Sequence, residues 1–187
     1  VWRHVLAWLD LNPAARRADA RAAACDAGAV GEQATAALIR PLEMAGWTVL
    51  HDRAIPGARK ANADHVLVSP GARVVMVDSK LWSGWYPVHA VGGRLMHGRM
   101  DRHRSVEAVL YETGLISRAL GVPVQPLIAV HNAPVAGDGF LVGGVPVVPA
   151  VRLVELLRGN DGPVDRAAAG VLARRAVEVL PPYVGGA

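Results

Sequence analysis

The run Val74-Val75-Met76-Val77-Asp78-Ser79-Lys80 constrains the fold more than any other stretch of the chain. Four apolar residues, three of them β-branched, form a short run typical of a strand buried on both faces. The run then ends on an acid, a small residue and a lysine. Successive side chains of a strand point to opposite faces, so Asp78 and Lys80 leave the sheet together and Ser79 leaves it on the other side. Charges in such a place are costly unless they are paired or bind something.

A second acid lies upstream in Asn62-Ala63-Asp64-His65-Val66-Leu67-Val68-Ser69, and Pro70-Gly71 follows it directly. Two apolar runs joined by a short Pro/Gly segment predict a β-hairpin. If Pro70, Gly71 and Ala72 form a three-residue loop, Ser69 faces Arg73 and Asp64 stands opposite Asp78. A two-residue loop offsets Asp64 by one and sends it to the other face. The three-residue loop is the expectation here, because it gathers both carboxylates and Lys80 into one cluster. Two carboxylates a few Å apart do not both stay ionised without a cation between them. Oxygen-rich sites of this kind suit Mg²⁺ or Mn²⁺. A neighbouring lysine can orient or activate a metal-bound water and offset charge developing on a phosphate. The bland alternative is an Asp78–Lys80 pair that only fixes the hairpin register.

The order of motifs goes further. Gly31-Glu32 opens a helix, then come Gly46-Trp47-Thr48-Val49-Leu50-His51-Asp52, Ile55-Pro56-Gly57, the strand holding Asp64, and Asp78-Ser79-Lys80 after thirteen intervening residues. This series, over residues 28 to 157, resembles the NERD (nuclease-related) domain, a branch of the PD-(D/E)xK nuclease superfamily. The resemblance implies an α/β, restriction-endonuclease-like fold with a mixed central sheet flanked by helices. It implies metal-dependent hydrolysis of phosphodiester bonds, in DNA. Asp64, Asp78 and the carbonyl of Ser79 would hold Mg or Mn, Lys80 would position the attacking water, and Glu32 would point into the metal site. A competing reading of Glu32 is a helix-dipole acid in a first turn. Two departures stand out. Related nucleases offer a glutamine on the helix after the motif, with a tyrosine one turn on. Here Glu107 and Tyr111 occupy that spacing, and an aspartate replaces the usual glutamate before x-Lys. They leave open a nucleic-acid-binding or scaffolding module that kept the fold without turnover.

With 187 residues the chain suits one domain, from 28 to 187, with an N-terminal helical extension over 1 to 27. Hydrophobic residues reach 52%, enough for a core built mostly of Val, Leu and Ala. A formal charge of +4 and a pI near 9.8 favour an acidic partner such as nucleic acid. The lone cysteine, Cys25, excludes an internal disulfide and fits a reducing, cytoplasmic compartment. No transmembrane run or signal peptide is visible, and the opening Val1 leaves a fragment or processed chain open.

Along the chain, a short amphipathic helix is expected around Trp2 to Leu9, and an Ala-rich helix from Pro13 to about Asp26, stopped by Gly28. A second helix runs from Val30 to Gly46, kinked at Pro41. The first strand spans Trp47 to Ala54, and a polar loop carries Arg59 and Lys60. Trp82, Trp85 and Tyr86 either cap the sheet edge or stack on unpaired bases. A hairpin turns at Gly92-Gly93. The most basic stretch, Arg94 to Arg104, offers Arg94, Arg99, Arg102 and Arg104 for phosphate contacts. His97 and His103 lack further well-spaced ligands, so zinc is rejected. Ser105 is expected to cap a helix to Leu120, with Val106, Val109, Leu110, Thr113 and Ile116 turned inward. Pro126 places strand Val124 to His131 at an edge or bulge. Val145 to Val148 is a last strand, and helices cover Val151 to Leu157 and Val164 to Leu180.

Overall fold

The computed structural model describes residues 13–58 and 61–184, with side chains from Gly28 onward. The expected helix around Trp2 to Leu9, the side chain of Cys25, and Arg59 and Lys60 therefore lie outside the described residues. Helix α1 (Pro13–Met44) leads into strands β1 (Thr48–Ala54), β2 (Asn62–Val68) and β3 (Val74–Leu81). A small meander follows, β4 (Val88–Val91), β5 (Arg94–His97) and β6 (Met100–Asp101). Helix α2 (His103–Leu120) then crosses to β7 (Val124–His131), and β8 (Phe140–Val142) and β9 (Val145–Pro149) complete the sheet. Helices α3 (Leu153–Gly159) and α4 (Arg166–Val179) close the described chain.

The main sheet runs β1-β2-β3-β7-β9-β8, antiparallel at both ends and parallel where β3, β7 and β9 meet. It is α/β and mixed, flanked by helices, as the resemblance implies. Val74 to Val77 are all buried, which is why this strand reads as a continuous apolar run. Odd-numbered residues of β3, with Leu67 of β2, pack on Ile39 and Leu42 of α1. Even-numbered residues of β3, with Val66 and Val68, pack on Val106, Val109 and Ile116 of α2. Each such side chain contributes roughly 1.5–3 kcal/mol by leaving water. No helix among the described residues is long and apolar enough to cross a membrane.

Several expected boundaries move. Gly28 does not stop a helix: α1 runs through it for 32 residues. A mid-helix glycine costs only about 1 kcal/mol against alanine, too little to break a helix whose later turns are docked on a sheet. Glu32 consequently sits in the body of α1, not in a first turn, so the helix-dipole reading fails. The helix also continues past Pro41, which is exposed, as is Ala37, whose carbonyl loses its partner to the proline. Helix α2 starts at His103 without a Ser105 cap; Asp101 Oδ1 instead accepts from His103 N–H at 2.8 Å. Leu110 is exposed rather than inward. Strand β7 is central, not an edge. Pro126 is tolerated because β9 pairs with β7 only from Ile128 onward.

Candidate active site on the β2–β3 hairpin

The hairpin fixes everything that follows. Its register pairs His65 with Val77, Val66 with Met76 and Val68 with Val74. The loop is Pro70-Gly71-Ala72, closed by Ser69 N–H to the Arg73 carbonyl and Ala72 N–H to the Ser69 carbonyl, both 2.9 Å. Ala72 takes the positive φ (59°) that such a loop needs at its last position. Gly71 lies against the C-terminal segment, where an added Cβ would sit 2.6 Å from Asp161 Oδ1. Asp161 accepts from the Ser69 hydroxyl (2.5 Å), the Gly71 amide (3.3 Å) and the Gly162 amide (3.0 Å), tying the loop down. Continuing the ladder one step past His65 and Val77 puts Asp64 level with Asp78, on the face of Met76 and Val66.

At that open end the carboxylates sit among charges. Asp64 Oδ2 accepts from the Ser79 amide at 2.8 Å. Asp78 Oδ1 accepts from Lys80 Nζ at 2.7 Å, while its Oδ2 is buried without a hydrogen-bond partner. Burial, then the charge of Asp78, push Asp64 up to about 8, against the pull of the Ser79 amide and Lys80. Burial also raises Asp78, opposed by Lys80. Burial pulls the Lys80 ammonium down, but the Asp78 charge and hydrogen bond, with Asp64 and Glu112 adding, leave it above its ordinary value. Ser79 points its hydroxyl the other way, to Thr35 Oγ1 at 2.8 Å, and Thr35 bonds His131 Nε2 at 2.7 Å.

Two helices bring further acids. Gly31 of α1 is buried against Leu81, which sets Glu32 near the end of β3. Burial, then Asp52, raise its carboxyl, and the charges of Lys80 and Asp78 are felt there too. Glu112 of α2, missed in the sequence, is pushed up to about 7 by burial and then by the charge of Asp78. Its position was readable: Glu112 falls between Val109 and Ile116 at the edge of the buried stripe of α2, and an acid there is a signal. Glu107 and Tyr111, the pair at the family spacing, are both exposed.

The basic stretch is divided. Arg94 pairs with Asp101 at 2.7 Å across β5 and β6, and Arg102 lies over the Trp82 ring, 5.8 Å from its centroid. Arg99 and Arg104 are exposed and form no ion pair among the described residues. His97 and His103 serve structure: His97 Nε2 bonds the Ser83 carbonyl at 2.9 Å, and His103 Nδ1 accepts from Leu95 N–H at 3.4 Å.

The donor set of Asp64 and Asp78 fits a hard divalent cation. It is all oxygen, one buried oxygen lacks a partner, and burial disfavours the ionised form of both carboxylates, with the Asp78 charge adding at Asp64. Among the described residues, no three Asp, Glu, His or Cys side chains stand close enough to hold an ion by themselves. A cation bound through one or two carboxylates, water and substrate phosphate needs no such cage. No curated protein and no solved structure shows significant similarity to the chain. The nuclease-related domain model matches residues 27–131, which hold α1 from its middle, the whole hairpin, α2 and β7. With more than half of its length matched, and its acids arranged on one hairpin face, the chain belongs to the nuclease-related domain family, within the PD-(D/E)xK-like nucleases.

Proposed function

We propose that the chain is a metal-dependent nuclease that hydrolyses phosphodiester bonds, in DNA. The observation that carries this reading is the buried, partnerless Asp78 Oδ2 beside Asp64 and Lys80. Asp64, Asp78 and the Ser79 carbonyl would hold Mg²⁺ or Mn²⁺. When bound, the ion lowers the pKa of its water and screens the phosphate. Lys80, on the same strand face, positions the attacking water and offsets charge on the phosphate. Glu32 would serve the metal from α1, as a direct ligand or as a partner of one. Arg94, Arg99, Arg102 and Arg104 contact the backbone of the nucleic acid. We propose too that the segment before residue 28 extends the nuclease-like unit and that the protein works in the cytoplasm, a reading the lone Cys25 supports.

A second reading, a nucleic-acid-binding or scaffolding module without turnover, draws on one observation: Lys80 is already engaged by Asp78 at 2.7 Å. Incubation with plasmid and linear DNA in Mg²⁺, Mn²⁺ or EDTA separates the two. Cleavage in either metal and none in EDTA is expected. Binding without cleavage under every condition would leave the module.

A further inference from the structure

The aromatic cluster after β3 takes no part in the hydrolysis proposed above. Trp82 is buried, with its ring stacked on His97 at 5.5 Å and 17°. Tyr86 meets the same imidazole edge-on, at 6.0 Å and 80°. Gly98 has φ +58°, and a Cβ there would lie 3.0 Å from Tyr86, so the phenol ring rests on bare backbone. These contacts hold Tyr86 as one wall of a cleft of about 360 Å³, completed by His97, Gly98, Arg99 and Met100. Its volume is in the range of small-molecule sites, roughly 300–1,000 Å³. Trp85, just before Tyr86 in the chain, is 89% exposed, a large indole held out in water.

We propose that Trp85 and the Tyr86–Met100 cleft form a stacking platform for unpaired nucleobases, so that single-stranded nucleic acid is the preferred ligand. An exposed aromatic beside a half-open aromatic cleft offers flat surfaces at which every base has a face to present. Arg99 in the cleft and Arg104 at the start of α2 are exposed cations suited to the phosphates between stacked bases. The platform follows the end of β3 directly, within five residues of Lys80 in the chain. A duplex keeps its base faces inside its own stack and gains nothing from Trp85.

The inference rests on the proposed function only in taking nucleic acid as the ligand. Its test is binding of a fluorescein-labelled oligothymidylate and of a labelled fully paired duplex to the full chain in EDTA, read by anisotropy. The parent should prefer the oligothymidylate. Trp85→Ala, on a side chain too exposed to matter for folding, should weaken oligothymidylate binding by roughly 5- to 150-fold and leave the duplex within about twofold. Equal loss on both ligands, an unchanged oligothymidylate affinity, or no binding by the parent overturns the platform. Parallel cleavage in Mn²⁺ keeps the two ideas apart. Stacking without cleavage supports the platform and sinks the nuclease. Cleavage with a Trp85→Ala chain that binds like the parent does the reverse.

Discussion

A carboxylate sits at each end of the β2–β3 hairpin, and the two are housed differently. At the loop end, Asp161 takes hydrogen bonds from Ser69, Gly71 and Gly162. At the open end, Asp78 has one partner, Lys80, and one buried oxygen with none. A satisfied carboxylate is a fastening, and its work is done in the folded chain. A buried carboxylate left half-satisfied, with Asp64 beside it, destabilises the fold that holds it unless something binds. The comparison separates structural from chemical acids by their hydrogen bonds, with no appeal to residue type.

The largest effect tests the open end. Lys80→Ala should cut metal-dependent cleavage about 10²–10³-fold, the scale of a lost electrostatic contact at a transition state of roughly 3–4 kcal/mol. Mn²⁺ binding, followed by titration calorimetry, should survive, because the substitution relieves like-charge repulsion. If Lys80 serves only to neutralise Asp78, its removal instead leaves a buried lone charge, costing roughly 3–5 kcal/mol of stability. A steep loss of thermal stability, in a protein whose parent binds no Mn²⁺, would make the two ends of the hairpin alike.

The pH dependence sharpens the same point. Asp64 titrates at about 8 in the folded chain against an ordinary 3.8, so the folded state keeps a proton that the unfolded chain releases near pH 4. Stability from this group is full below about pH 4 and is lost as pH rises toward about 8. His65, whose imidazole is held down to about 3 by burial, works the other way up to about pH 6.5, so the Tm in EDTA should fall between about pH 6.5 and 8, and Mn²⁺ should flatten that slope. Asp64→Asn should flatten it without metal; an unchanged slope would assign the pH response elsewhere.

At the loop end, Asp161→Ala should cost about 2–3 kcal/mol, since hydrogen bonds to a charged group contribute roughly 1.5–3 kcal/mol net. That is about 4–12 °C in Tm for a chain of this length. Cleavage per folded molecule should stay within about twofold. A loss of activity out of proportion to the loss of folded protein would show that the latch also tunes the site. Glu112→Gln is a milder change at the open end. It removes a charge that raises Lys80 and should weaken Mn²⁺ binding about tenfold, the scale of outer partners of a metal site. Unchanged Mn²⁺ affinity would leave Glu112 a bystander.

The legible parts of this molecule were local. The run around Asp78 announced a buried strand because its apolar residues needed both faces covered. The loop of Pro70, Gly71 and Ala72 gave the register because loop length sets pairing. The Gly92-Gly93 turn was read from the same chemistry, both glycines taking positive φ. What failed was tertiary. Gly28 was overruled by the length and docking of α1, and Pro126 by where β9 begins to pair. Strand β8, three residues long, has too little pattern to see. Glu112 joins the acids only once α2 crosses the sheet, and Thr113 Oγ1 resting 3.7 Å from Met76 Sδ shows how that crossing carries it toward Asp78.

The smallest expected effect lies in the loop that sets the register. Ala72 holds φ +59°, a conformation costing an L-residue roughly 1–2 kcal/mol that glycine avoids. Glycine loosens the unfolded chain by roughly 0.5–1 kcal/mol in return. Ala72→Gly should therefore stabilise the protein by about 0.5–1 kcal/mol. Cleavage should not change, because the loop keeps three residues and Asp64 stays level with Asp78. Deleting Ala72 is the contrasting variant. The loop shrinks to Pro70 and Gly71, but Ser69 can still close on Arg73, so Asp64 stays level with Asp78. The turn loses its left-handed residue, so the deletion should lower stability while cleavage per folded molecule is unchanged. A deletion variant that folds but no longer cleaves would show that the strands had slipped, and that loop length rather than the closing pair sets the register.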